Sequence, residues 1–358
     1  MKQFGKYLKL NLSNWIWVIC IVVISLSACK KTDPMINPNA GPVNVYLAGW
    51  RSYPPNNEVA TYWENDVLTD LTDGSKYITA TSIAASGTDV YIGGNQFINN
   101  HSVALYWKNG VMAALTDTSK DSFVDAETIY GNDIYFAGYE NDGSHKIAKY
   151  WKNGQGVNLT SGLNDAKVLA IAVSGNDVYA AGWESNGTVE VAKYWKNGTA
   201  VNLSDGTRNT EAGSIAVSAN NIYVLLTEYT LPDPCPYCDR ALAATAVFTI
   251  WKNGSIIITA AQSQFFSSIT LANNVLYIAG TDNSAASYFK NGVAYHLTDG
   301  STEAQASGIA IWGADVYVSG YENISGHNVP TYWKNGKPVR LTDGTNNAYS
   351  PAIYLSKR

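Results

Sequence analysis

Residues 167–205 read KVLAIAVSGNDVYAAGWESNGTVEVAKYWKNGTAVNLSD, and the fold is decided by what this stretch repeats. It holds four short phrases rich in Val, Ile, Ala, Tyr and Trp, parted by Gly175-Asn176 and Asn197-Gly198. Short β-prone runs bounded by such dipeptides read as strands. Asn-Gly supplies the two positive-φ residues of a type I′ hairpin, which here joins the third phrase to the fourth.

Working outward, the phrase Tyr-Trp-Lys-Asn-Gly or a close variant recurs with its aromatic at Trp63, Trp107, Trp151, Trp195, Trp251, Phe289 and Trp333. Most spacings are 44 residues, with 56 before Trp251 and 38 before Phe289. The Asp-Val-Tyr-Val-Ala-Gly type of phrase places its tyrosine at Tyr46, Tyr91, Tyr135, Tyr179, Tyr223, Tyr277 and Tyr317. A third phrase centres on Ile83, Ile129, Ile171, Ile215, Ile269, Ile309 and Ile353. A fourth carries Leu71, Leu115, Leu159, Leu203, Leu297 and Leu341 and is degraded near Ile258. Four antiparallel strands in ~40–45 residues is the period of a propeller blade. The first unit lacks its first strand, and the missing phrase stands alone at the far end as Ala352-Ile353-Tyr354-Leu355. The expected fold is therefore all-β: a seven-bladed β-propeller over residues 43–358, with the C-terminal strand closing blade one. Closure pairs edges that would otherwise be open templates for aggregation.

Composition agrees. Of 358 residues 15% are charged and 46% apolar, with 24 Tyr, 11 Trp and 30 Gly. Ordinary domains carry ~25% charged residues, so strands buried on both faces are implied and disorder is excluded. The net charge is −5, and near −8 without Lys2, Lys6 and Lys9 of the leader described next. Nucleic acid and anionic lipid surfaces need a basic footprint, which this balance denies them.

Residues 1–28 read as a leader: Lys2, Lys6 and Lys9 precede an apolar run over 16–26 that is short for a bilayer span. It ends Leu26-Ser27-Ala28-Cys29, which resembles the lipobox of bacterial lipoprotein signal peptides. That resemblance implies cleavage before Cys29, acylation of Cys29 and attachment to a membrane through the lipid. An ordinary signal peptide or anchor that contains a cysteine is the alternative. Lys30 follows, where the lipoprotein rule would place Asp for inner-membrane retention, so an outer-membrane location is implied, facing periplasm or cell surface. Residues 29–42, with Pro34, Pro38 and Pro42, read as a tether.

The repeat array resembles the repeat-built β-propeller lipoproteins of Gram-negative bacteria, in which the Tyr-Trp-Lys-Asn-Gly and Val-Tyr-Val-Ala-Gly phrases alternate. The resemblance covers residues 43–355 and transfers no activity. WD40 and kelch signatures are absent.

The recurring Trp invites a reading as carbohydrate-stacking surface, but one large aromatic per blade is what inter-blade packing needs. Cys235-Pro236-Tyr237-Cys238 resembles a glutaredoxin site, yet it lies among Pro232, Pro234 and Pro236 in an insertion over 227–243. A disulfide stapling that loop is the expectation, with redox activity or a metal as alternatives. His101, His145, His296 and His327 fall in separate blades, and no motif asks for a cofactor or metal.

Links between first and second strands and between third and fourth lie on one face of a propeller, and here they are tight and uniform. The other face collects longer links over 50–58, 95–102, 139–146, 183–188, 227–243 and 321–328. Loops on a rigid scaffold are where binding residues gather. The candidate ligand-binding residues there are Trp50, Arg51, Tyr139, Glu140, Trp183, Glu184, Glu228, Tyr229, Asp282, Tyr321 and Glu322. Five acids at one repeat position would give the rim a negative potential; the competing reading is that Glu140, Glu184 and Glu322 pair with neighbouring lysines and cap their turns. The expected function is a membrane-anchored binding or scaffolding module for a glycan, peptide or protein partner. The alternative is a polysaccharide hydrolase or lyase with carboxylates on the long-loop face.

Overall fold

The computed structural model describes residues 41–53, 57–98, 101–229 and 246–358. Cys29, Cys235 and Cys238 lie outside them, as do the leader and most of the tether. The described residues contain 28 strands and no helix. The strands form seven four-stranded sheets, each antiparallel and, in six of the seven, in simple chain order. Blade three is representative: Ser122–Tyr130, Asp133–Asn141, Lys146–Lys152 and Gln155–Asn158. Consecutive first strands pack against each other, which puts them innermost.

The ring closes as the sequence requires. Ala348–Lys357 pairs antiparallel with Val43–Tyr53, with Leu355 opposite Val45 and Ile353 opposite Leu47. It thereby supplies the inner strand of blade one.

The repeated phrases are mostly accounted for by packing. Trp63, Trp107, Trp151, Trp195, Trp333 and Phe289 are each at most 1% exposed. The indole N–H groups of Trp63, Trp107 and Trp333 are buried without a hydrogen-bond partner, so these rings serve by volume and not by polarity. Phe289, which has no such group, fits the same place. The cores they fill join neighbouring blades, as where Ile171 and Trp195 of blade four meet Tyr135 and Ala137 of blade three. The glycine of the second phrase has a steric reason. Each innermost strand carries a bulge, and opposite it lie Gly94, Gly138, Gly182, Gly280 and Gly320. A Cβ there would strike a backbone carbonyl of the bulged strand. Blade five departs, with Leu226.

One alignment is corrected by the register. In six blades the inner residue paired with the one after the phrase tyrosine is Ile83, Ile171, Ile215, Ile269, Ile309 or Ile353. In blade three that residue is Glu127, opposite Phe136, and Ile129 lies two residues further on. A carboxyl therefore stands where the repeat wants an isoleucine.

Candidate binding face

The two faces of the ring differ in how their polar groups are used. On the tight-turn face the same knot is tied blade after blade. Asn109, at φ 52° in its hairpin, accepts from Val90 N–H at 2.8 Å and donates to Asp89 at 2.9 Å. Lys108 reaches the same carboxylate at 2.8 Å and lies over the Tyr91 ring. Asp133, Lys152 and Asn153 repeat it, as do Asp177, Lys196 and Asn197, and Asp315, Lys334 and Asn335. The lysine hydrogen bond holds the Asp89, Asp133 and Asp177 carboxyls below the usual range. Exposed pairs of this kind are individually weak; their role is to fix the two strand ends. A cavity of about 330 Å³ on this face is walled by Asp89, Lys108 and Asp133, groups already committed to the knot.

The long-loop face is less regular, and it places the candidate residues differently from the sequence expectation. Glu140, Glu184, Glu228 and Glu322 do not open loops: they lie within the closing residues of the second strands, and Asp282 ends its strand. Each acid is matched. Glu140 takes Lys149 and, at 3.4 Å, Lys120. Glu184 takes Lys193 at 2.6 Å, Glu228 takes Arg208 at 2.6 Å, and Glu322 takes Arg340 at 3.1 Å. Asp282, 9% exposed, faces His296 at 3.2 Å. Lys149 and Lys193 stand diagonally across the hairpin from their acids, so the register builds those pairs. Glu140 and Glu184 thus meet the lysines of the competing reading, and Glu322 meets an arginine in place of one. With Glu228 and Asp282 also partnered, the five do not form a bare negative ring.

The aromatics are similarly engaged. Tyr139 and Trp183 are 7% and 8% exposed. Tyr139 lies parallel to Phe123 and donates its hydroxyl to Asp121 at 3.0 Å. Burial, with Asp121 adding, pushes that hydroxyl's pKa up. Trp50 stacks on Tyr349 at 5.2 Å, and Arg51 holds Asp70 through two nitrogens at 3.0 and 2.6 Å. Tyr229 and Tyr321 donate to Glu211 at 3.3 Å and Glu303 at 3.0 Å.

What sequence reasoning missed is the second residue of each innermost strand, at the long-loop end of the ring's centre: Thr79, Phe123, Lys167, Glu211, Phe265, Gln305 and Tyr349. They recur at blade spacing but share no residue type, so no phrase betrays them. They differ from blade to blade where packing residues do not. Lys167 lies 4.8 Å from the Phe123 ring centre and 2.8 Å from Asp125, the bulge residue of blade three. Burial raises the Asp125 carboxyl, and Lys167 opposes that shift.

On the same face, between blades five, six and seven, a groove of about 670 Å³ opens. Its cause is local. Blade six turns at once after Asp282, through Asn283 and Ser284 at φ 49° and 67°, whereas blade seven runs on through Ile324. Phe248, Phe265, Thr281, Gln305 and Tyr321 line it. Among its described lining residues Glu303 is the sole carboxylate, whereas most glycoside hydrolases work with two. Among the described residues no three His, Cys, Asp or Glu side chains gather as a metal site.

No family model matches the chain, and no curated protein does. Among solved structures it is similar to the β-propeller domain of the trilobed protease from Pyrococcus furiosus, 10% identical over 85% of this chain and 93% of that one, TM-score 0.48. It is similar to acylaminoacyl peptidase from Pyrococcus horikoshii, 11% identical over 84% of this chain and 50% of that one, TM-score 0.48. TolB from Acinetobacter baumannii is 10% identical over 70% of this chain and 62% of its own, TM-score 0.41. The chain spans about half the length of the peptidases it matches. Likenesses this distant carry nothing about what those proteins bind or cleave.

Proposed function

We propose that the protein is an extracytoplasmic propeller lipoprotein, acylated at Cys29 and tethered by residues 30–42, whose long-loop face binds a glycan, peptide or protein partner. The observation that supports it is the asymmetry of the ring. One face spends its recurring polar side chains on the Asp–Asn–Lys knot, while the other varies from blade to blade and holds the groove. A rigid ring presents such a surface with little further ordering cost on binding. The five acids described on that face are each partnered, which argues against a partner chosen by a strong negative field. Cys235 and Cys238 belong to this reading as a loop-stapling disulfide, and thiol titration of the denatured mature protein should find neither free.

The anchor is tested by Cys29→Ser. The variant should accumulate unprocessed or leave the membrane fraction, and should no longer incorporate labelled palmitate. A variant that is processed, labelled and fractionated like wild type would overturn the lipoprotein reading.

A further inference from the structure

We propose that the groove between blades five, six and seven is a subsite for a neutral saccharide, with the Phe265 ring as its stacking surface. This rests on the reading of the long-loop face as the binding face and names the ligand class. The volume, about 670 Å³, falls in the ~300–1,000 Å³ range of small-molecule sites.

The chemistry of the walls selects the ligand. Phe265 meets Phe248 edge to face, with ring centres 4.7 Å apart at 67°. Phe248 is 5% exposed and fixed, so it holds the half-buried Phe265 ring in one plane. A flat apolar surface of that kind suits the C–H face of a pyranose. Around it stand Ser263, Thr302, Gln264 and Gln305. Hydroxyls and side-chain amides both donate and accept, which matches a ligand whose own hydroxyls do both.

No Lys, Arg or His is among the described lining residues. The described wall thus offers a uronate, sulfate or phosphate no cation. Glu303, the one acid among the described lining residues, already accepts from Tyr321 at 3.0 Å, so the described wall offers a basic peptide no uncommitted carboxylate. The wall is also built in advance: Asp299 accepts from Ser301 N–H at 2.9 Å and from its hydroxyl at 2.6 Å, and Gly300 packs on the blade-six hairpin.

The test is calorimetric titration of the full-length protein in detergent with cellohexaose, maltohexaose, mannohexaose and chitohexaose, beside polygalacturonate and a lysine-rich decapeptide. At least one neutral hexasaccharide should bind. Phe265→Ala should weaken it roughly thirtyfold, the cost of losing an aromatic anchor, and Phe265→Tyr should retain it. Because Phe265→Ala also loosens Phe248, Thr302→Trp serves as the second variant. Thr302 is exposed, so that change fills the groove while leaving the melting temperature unaltered. Four results would each overturn the proposal: no hexasaccharide bound up to about 10 mM, binding of polygalacturonate or peptide alone, binding that survives Thr302→Trp, or binding indifferent to Phe265→Ala. None of them touches the anchor, which stands or falls with Cys29→Ser.

Discussion

Deleting residues 348–358 is expected to abolish the cooperative fold, not to trim its stability. The lost strand pairs with Val43–Tyr53 along most of its length, and its Ile353 and Leu355 pack on the cluster of Val45, Leu47, Trp63, Tyr317 and Tyr332. Leu47 and Trp63 are fully buried and Tyr46 is 3% exposed. Each large side chain returned to water costs ~1.5–3 kcal/mol. Several together rival the ~5–15 kcal/mol that holds a domain folded. The inner edge of Val43–Tyr53, paired in the intact protein, would open as well. Gel filtration should show aggregates, and circular dichroism no sharp melt. Arg358 N–H donates to Pro42 at 3.0 Å, so the strand's end lies beside the start of its partner. A permuted chain that begins at Ala348 and enters Val43 through a two-residue turn should therefore melt like wild type. A truncated protein that melts cooperatively at the wild-type temperature would mean blade one is complete without the strand.

Glu127→Ile is expected to stabilise the protein by about 1–3 kcal/mol at neutral pH, the usual penalty of an unsatisfied buried polar group. Both Glu127 carboxyl oxygens are shut off from solvent without a hydrogen-bond partner, as is the Ser82 hydroxyl of blade two. Burial pushes the carboxyl's pKa well above the usual range; Gly93 N–H and the Ser82 side chain, close to it but outside hydrogen-bonding geometry, oppose that shift. Isoleucine fills the same register position in the other six blades, so the substitution restores the repeat's own packing. The pH dependence has a definite sign. The folded protein holds the proton more tightly than the unfolded chain does, so wild-type stability falls as pH rises above the ordinary glutamate value. Thermal melts should show a gain for Glu127→Ile that is small near about pH 4 and grows toward about pH 8. Glu127→Gln should lose most of that slope. A gain absent at every pH, or constant across the range, would contradict the buried-carboxyl account.

The architecture was legible because its signals are periodic and chemically strict. Asn-Gly turns and a large aromatic per blade each have one physical cause, and that cause recurs seven times with few exceptions. Glu127 escaped because matching by residue type moved the phrase onto Ile129, and the bulge preceding it hides the true register. The acids of the long-loop face were visible, and lysine was foreseen as a partner type, but which lysine was not. Glu140 meets Lys149, and Glu184 meets Lys193, only once the hairpin register is known. The inner ring from Thr79 to Tyr349 carried no residue-type signal at all. The groove had one: the 38-residue interval from Trp251 to Phe289, the shortest of the array. A shortened blade leaves space beside its neighbours, yet nothing in the interval says that Phe248 and Phe265 would floor that space.

The claim that one face binds while the other only holds the ring together is tested most directly by steric blocking on both. Full-length wild type, Ser144→Trp and Thr302→Trp on the long-loop face, and Thr199→Trp beside the Asn197-Gly198 turn would be compared on glycan and peptide arrays. All three substituted positions are exposed, so the fold should tolerate each. The account predicts that signals seen with wild type fall in one or both long-loop variants and persist in Thr199→Trp. Signals lost in Thr199→Trp and kept in the other two, or arrays on which wild type finds nothing, would contradict it.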